Sequence, residues 1–135
     1  TTYRTMSANA FAAVALIAVA TPMAAFAQQT QPSQLKATAE TMAVAYTNCV
    51  TDWVGENLIA SATPTEMADG GQAKCLNKLQ EFEEAQKNYL LAITPHGQEM
   101  RATDKAKSIA SDIREMTRAH IVRLIIESRS AKPTK

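Results

Sequence analysis

CVTDWVGENLIASATPTEMADGGQAKC, the stretch from Cys49 to Cys75, decides how the rest of the chain folds. Inside it, Thr63-Pro64-Thr65-Glu66 spells a helix start: a hydroxyl at the N-cap, proline at the first helical position and glutamate three residues after the cap, together a capping box. If the helix that begins there folds back on the one before it, with a turn near Ala62, residues equidistant from Ala62 lie opposite each other. Cys49 then meets Cys75, Met42 meets Phe82, Leu35 meets Tyr89 and Trp53 meets Gly71. Apolar faces apolar throughout. The doublet Gly70-Gly71 reads as room for the Trp53 indole, although each helical glycine costs about 1 kcal/mol relative to alanine.

Outward from this hairpin the chain is helical in rhythm, and no segment alternates as a strand would. Leu35, Ala39, Met42, Tyr46, Cys49 and Trp53 recur at steps of four and three, widened by Val50 and Val54, after a start supplied by Pro32 and Ser33. The second helix continues through Cys75, Leu79, Phe82, Gln86, Tyr89 and Ile93 and stops at Thr94-Pro95-His96-Gly97, because proline disfavours helical geometry in the residue before it. A third helix is expected from Glu99 to Ser128, with Ala106, Ile109, Ile113, Met116, His120 and Leu124 along its core face and a frayed tail from Ala131 to Lys135. The expected fold is all-α: a small three-helix bundle built on a disulfide-stapled antiparallel hairpin.

The N-terminal residues carry a different signal. Arg4, the uncharged run Ala10 to Ala20, Pro22 and Ala25-Phe26-Ala27 have the layout of a secretory signal peptide, with cleavage between Ala27 and Gln28. The alternative is a retained membrane anchor across residues 10–27, but a span needs about 20 apolar residues and the uninterrupted run is shorter. Gln28 stands where a lipoprotein would carry cysteine, and a single Arg4 is not a twin-arginine signal. Residues 1–27 are thus read as a signal peptide and residues 28–135 as a single helical domain. The implied location is periplasmic or secreted, or, with the anchor retained, the inner membrane.

Export changes the reading of the two cysteines. An even count outside the cytosol favours a disulfide over a metal pair, and a redox site would want Cys-x-x-Cys or a lone acidic thiol. Closing this loop stabilises by roughly 3 to 4 kcal/mol on the chain-entropy account. Other chemistry is thin. His96 with Met100, and Met116 with His120, could each offer nitrogen and sulfur to copper, but residues 100 and 116 sit about 24 Å apart along one helix and cannot close on one ion. Glu81, Glu83 and Glu84 read as a solvated face, and neither histidine has a nucleophile with an orienting acid. No cofactor, no metal and no catalytic residue is expected, so the chain is not read as an enzyme.

The segment Cys75-Leu76-Asn77-Lys78-Leu79, followed by an acidic turn and Asn88-Tyr89-Leu90-Leu91, resembles the Cys-Leu-x-x-x-Leu segment of small exported bacterial proteins related to lysozyme inhibitors of the LprI type. That family is expected to carry a further Trp and Arg motif near a later cysteine, whereas this chain has none after Cys75. The resemblance implies a job of binding another envelope protein.

Charge divides along the chain. From Gln28 to Met100 nine carboxylates face four lysines, a net of −5; from Arg101 onward nine basic residues face four acidic ones, a net of +5. Two complementary parts packing together explain this more simply than a face for anionic lipid, polysaccharide or nucleic acid, and no nucleic acid partner is expected. On the third helix Lys107, Arg114, Arg118 and Arg129 fall near one stripe, with Val122 and Ile126 beside it. This edge is expected to be covered by a partner helix, a second copy of the chain or an anionic membrane face. The expected role is an exported helical binding or structural accessory protein, the alternatives being a membrane-anchored accessory subunit of an envelope complex and a lysozyme-inhibitor-like protein. The mature protein should begin at Gln28, and mass spectrometry of its N-terminus checks this; an intact N-terminus embedded in membrane would overturn it.

Overall fold

The structure, a computed structural model, describes residues 31–131. The proposed signal peptide and cleavage site, and all of the C-terminal tail but Ala131, lie outside the described residues. Four helices follow one another: α1 (Pro32–Glu56), α2 (Pro64–Lys74), α3 (Leu76–Ile93) and α4 (Glu99–Ser130). No described residue is in a strand. The all-α class holds, but the expected second helix is two.

The local chemistry of the helix ends is as the sequence indicates. Pro32 opens α1 at its first position. At the start of α2, Thr63 N–H donates to Glu66 Oε2 at 2.8 Å and Glu66 N–H donates to Thr63 Oγ1 at 3.2 Å, so the capping box closes in both directions. This pulls the Glu66 carboxyl below the usual range, chiefly through the Thr63 backbone bond. Thr94 is extended with ψ 135°, as a residue before proline must be, and Gly97 takes φ +87° in the turn to α4.

Cys49 and Cys75 form a disulfide with Cα atoms 6.0 Å apart. Farther out, Leu35 and Met42 of α1 share a groove with Asn88 and Ala85 of α3, which is the antiparallel register expected of a turn near Ala62. The hairpin is broken where the sequence reads continuous. Cys75 sits at φ −100° and ψ 17°, outside helical geometry; its N–H still closes α2 onto the Gly71 carbonyl, while its own carbonyl accepts from Lys78 and Leu79. The break follows the two helix-weakening glycines by four residues and falls on the residue the disulfide holds to α1. Gly70-Gly71 do serve close approach. A methyl group added at Gly70 would lie 2.9 Å from Trp53 Cη2, and one added at Gly71 would lie 3.0 Å from Val50 Cγ1.

α4 closes the bundle. Gln72 and Asp69 of α2 reach Arg114 and Arg118, so α2 and α4 are antiparallel. Thr47 of α1 meets Thr117, and farther along Leu58 and Ser128 line one pocket, so α1 and α4 run parallel. The core comprises Ala39, Tyr46, Val50 and Val54 of α1, Met67 and Ala68 of α2, Cys75 at the break, Leu79 and Phe82 of α3, and Ala110, Ile121 and Ile125 of α4. The buried face of α4 differs from the expected one. It carries Ala102, Ala106, Ala110, Thr117, Ile121 and Ile125, whereas Met116, His120 and Leu124 are exposed. The reason is steric and polar: alanines at every fourth position let α4 approach closely, and arginines bonded to α2 set its rotation. Met116, His120 and Leu124 of the expected seam are therefore turned outward, while Ala106 is buried and Ile109 and Ile113 stay half-buried against the core.

Two glycines of this fold should respond oppositely to alanine. Gly71→Ala places a methyl against Val50, Val54 and the Val50 carbonyl, an overpacking cost of about 1–3 kcal/mol that exceeds the helix gain. At Gly55 an added methyl meets no atom within 4 Å, so Gly55→Ala should stabilise by up to about 1 kcal/mol. Thermal unfolding of both variants tests this, and shifts of the same sign would contradict the packing described.

Candidate functional site

A layer of polar side chains ties the helices together. Gln72, almost fully buried, donates from Nε2 to the Arg114 carbonyl at 2.7 Å and accepts from Arg114 Nε at 3.3 Å through Oε1. One turn away, Arg118 Nε donates to Asp69 Oδ1 at 2.7 Å, and the Arg118 guanidinium holds the Asp69 carboxyl below its ordinary range. Arg129 donates from one terminal nitrogen to the Ala62 carbonyl at 2.7 Å and the Ile59 carbonyl at 3.2 Å, fastening the α1–α2 loop. Tyr46 is fully buried and its hydroxyl completes no hydrogen bond among the described residues. Burial pushes that hydroxyl's pKa up, against the opposing influence of Arg114 and the neighbouring Gln72 amide.

These bonds absorb much of the basic stripe. Arg114, Arg118 and Arg129 all serve contacts within the chain, and Val122 is half-buried against the core. Lys107 and Ile126 remain exposed, Ile126 at 51%. The structure thus divides the six residues grouped by the sequence: four are drawn toward α2, the loop or the core, and two face outward. Of the ion pairs among the described residues, Asp69–Arg118 alone joins an acidic-half carboxylate to a basic-half guanidinium.

The opposite side of α4 is open. Where α1 and α4 run side by side, Thr51, Gly55 and Leu58 face Ile121, Leu124 and Ser128 around a pit of about 170 Å³. Val54 and Ile125 complete its lining, so no charged side chain contributes. A second, separate depression lies nearer the α4 N-terminus, lined by Thr47, Ile113, Met116, Thr117 and His120. Met116 is 68% exposed, Leu58 52% and Leu124 37%. Arg123, on the rim, donates toward His120 Nδ1 at 3.4 Å, which identifies that ring nitrogen as an acceptor.

Other groups singled out in the sequence do not converge. Among the described residues no three His, Cys, Asp or Glu side chains gather as a metal site would require. Glu81 pairs with Lys78 at 2.9 Å and Glu84 with Lys87 at 3.2 Å, each three residues away on the same helix. No described helix is long and apolar enough to cross a membrane. No protein family, curated protein or solved structure matches this chain. The lysozyme-inhibitor resemblance therefore stands on Cys75 to Leu91 alone.

The Asp69–Arg118 clasp carries a pH dependence. Because Arg118 depresses the Asp69 pKa in the fold, the stabilisation is complete above the ordinary carboxylate value of about 4 and is lost as pH falls through the folded value. Both groups are well solvated, so the effect is small. Asp69→Asn should lower Tm slightly at neutral pH, and thermal scans taken stepwise into acid should show the gap to the parent protein closing. A gap that stays constant would assign the effect to packing instead.

Proposed function

We propose that this chain is an exported, disulfide-stapled helical protein that acts by binding another protein rather than by catalysis. The observation that carries this reading is the open face between α1 and α4, where Leu124 and Leu58 remain exposed around an uncharged pit and Met116 is exposed at a neighbouring depression. Exposed apolar side chains gathered around one concavity mark interaction surfaces more often than the same residues scattered singly. The polar side chains between helices support a scaffold role, since Gln72, Arg114, Asp69 and Arg118 are spent on holding helices together.

Export is supported by the layout of residues 1–27 and is compatible with the Cys49–Cys75 disulfide, which persists most readily in an oxidising compartment. A periplasmic setting makes the partner an envelope protein or a copy of the chain itself.

Site-specific photocrosslinking in cells tests this reading. A benzophenone side chain at Leu124 or Leu58 should yield a discrete protein adduct, while the same probe at exposed Gln80 of α3 should not. Equal labelling from all three positions, or none from the two in the groove, would remove the α1–α4 face as the binding surface.

A further inference from the structure

We propose that the pit between α1 and α4 and the hollow beside it form one site for a fatty acid, with the alkyl chain between the helices and the carboxylate on Arg129. The inference goes beyond the protein-binding reading, because it gives the pit within that face a small-molecule ligand of its own. It begins with two hollows that share a wall. The pit, about 170 Å³, is lined by Val54, Gly55, Ile121 and Ile125 among others, and the second hollow, about 160 Å³, by Ile59, Ala60 and Arg129. Leu58 and Ser128 line both. Leu58 lies past the end of α1 and is half exposed, so a rotamer change withdraws the partition. Joined, the two reach the lower end of the about 300–1,000 Å³ typical of small-molecule sites.

Charge on the wall selects the head of the ligand. Among the described residues, Arg129 is the one charged side chain lining either hollow. One terminal nitrogen of its guanidinium donates to the Ile59 and Ala62 carbonyls, which holds the group in place beside the second hollow. Its other nitrogens bond to no described residue. A guanidinium fork matches a carboxylate, so the head of the ligand is an anion. Glu127 pairs with Arg123 at 3.8 Å, and neither it nor Glu56 at the end of α1 lines the hollows.

The pit selects the body. Its two polar side chains, Thr51 and Ser128, already donate their hydroxyl protons to the Thr47 carbonyl at 2.9 Å and the Ile125 carbonyl at 3.0 Å. A peptide laid along the pit would bury carbonyls with no donor to meet them, whereas an alkyl chain brings no polar group to satisfy. Ile121 and Arg129 lie about 12 Å apart along α4, a span that a saturated chain of medium length covers. Gly55 leaves the α1 wall clear, since a methyl added there would meet no atom within 4 Å.

Isothermal titration calorimetry of the exported protein with decanoic acid reads the binding directly, at neutral pH where the acid is ionised and below the range in which it forms micelles. The wild type should bind saturably with a stoichiometry of one. Decanol, which carries the same chain without the charge, should bind more weakly by about tenfold or more. Arg129→Gln should weaken decanoic acid by about tenfold or more and leave decanol unchanged, which also shows that the pit survives the substitution. Gly55→Leu, which fills the pit, should weaken both ligands by about tenfold or more and leave the circular dichroism unchanged, because the space at Gly55 is open. No saturable binding, uptake that rises without a plateau, or decanoic acid binding indifferent to either substitution would overturn the proposal. Groove crosslinks to another protein, with no decanoic acid bound, would overturn the fatty-acid site and leave the protein-binding reading standing. Saturable decanoic acid binding that obeys both substitutions, with no groove crosslinks, would sustain the site and remove that reading.

Discussion

The covalent link between Cys49 and Cys75 is the constraint on which the other contacts depend. With two Cα atoms held 6.0 Å apart, the middle of α1 and the junction of α2 with α3 cannot slide past one another. That fixed point sets which residues meet on either side of it. Toward the turn, Trp53 reaches Gly70 and the valines reach Gly71; away from it, Leu35 and Met42 lie beside Asn88 and Ala85. It also marks the place where one long helix becomes two. Because Cys75 leaves helical geometry, α2 and α3 are free to take different directions, α3 along α1 and α4, and α2 close under the C-terminal half of α4.

The fourth helix is positioned by a different kind of force. Its deepest contacts near the α3 turn are alanines, which contribute close approach more than area, and its mid-section is set by Gln72 and Thr117 rather than by large hydrophobes. Buried polar groups are costly when unpaired and specific when paired, so a Gln72 amide paired with Arg114 favours this rotation of α4. The Asp69–Arg118 and Arg129–loop bonds lie along the same edge and reinforce that choice. The Tyr46 hydroxyl is the exception in this layer, buried yet unpaired.

Much of the fold was legible in the residues. The hairpin register followed from cysteine spacing, the start of α2 from Thr63 and Glu66, and the glycine doublet from the size of the Trp53 ring. What was not legible is physical rather than obscure. Periodicity assigns Met116, His120 and Leu124 of α4 to the core, but the buried face lies one position along, at Thr117, Ile121 and Ile125, because the close alanine contacts and the arginine bonds to α2 set the rotation of the helix. Gln72 could have been found, since it falls in step with Ala68 and Cys75 on one helical face. The basic stripe was visible, but whether an arginine turns to solvent or to a neighbouring carbonyl depends on α2, which periodicity within α4 cannot report. The same rotation is what opened the face between α1 and α4.

The placement of Trp53 makes the molecule its own optical reporter. It is the sole tryptophan of the chain, and its ring lies over Gly70, one helical turn along α1 from the half-cystine Cys49. A disulfide close to an excited indole accepts an electron from it, so reduction of the bond in the folded protein should raise the Trp53 emission. Reducing the bond without unfolding removes the quencher; unfolding adds a shift of the emission to the red as the ring meets water. The two events thus leave separate signatures, intensity for the covalent link and wavelength for the packing, and both are read from one native side chain without a label.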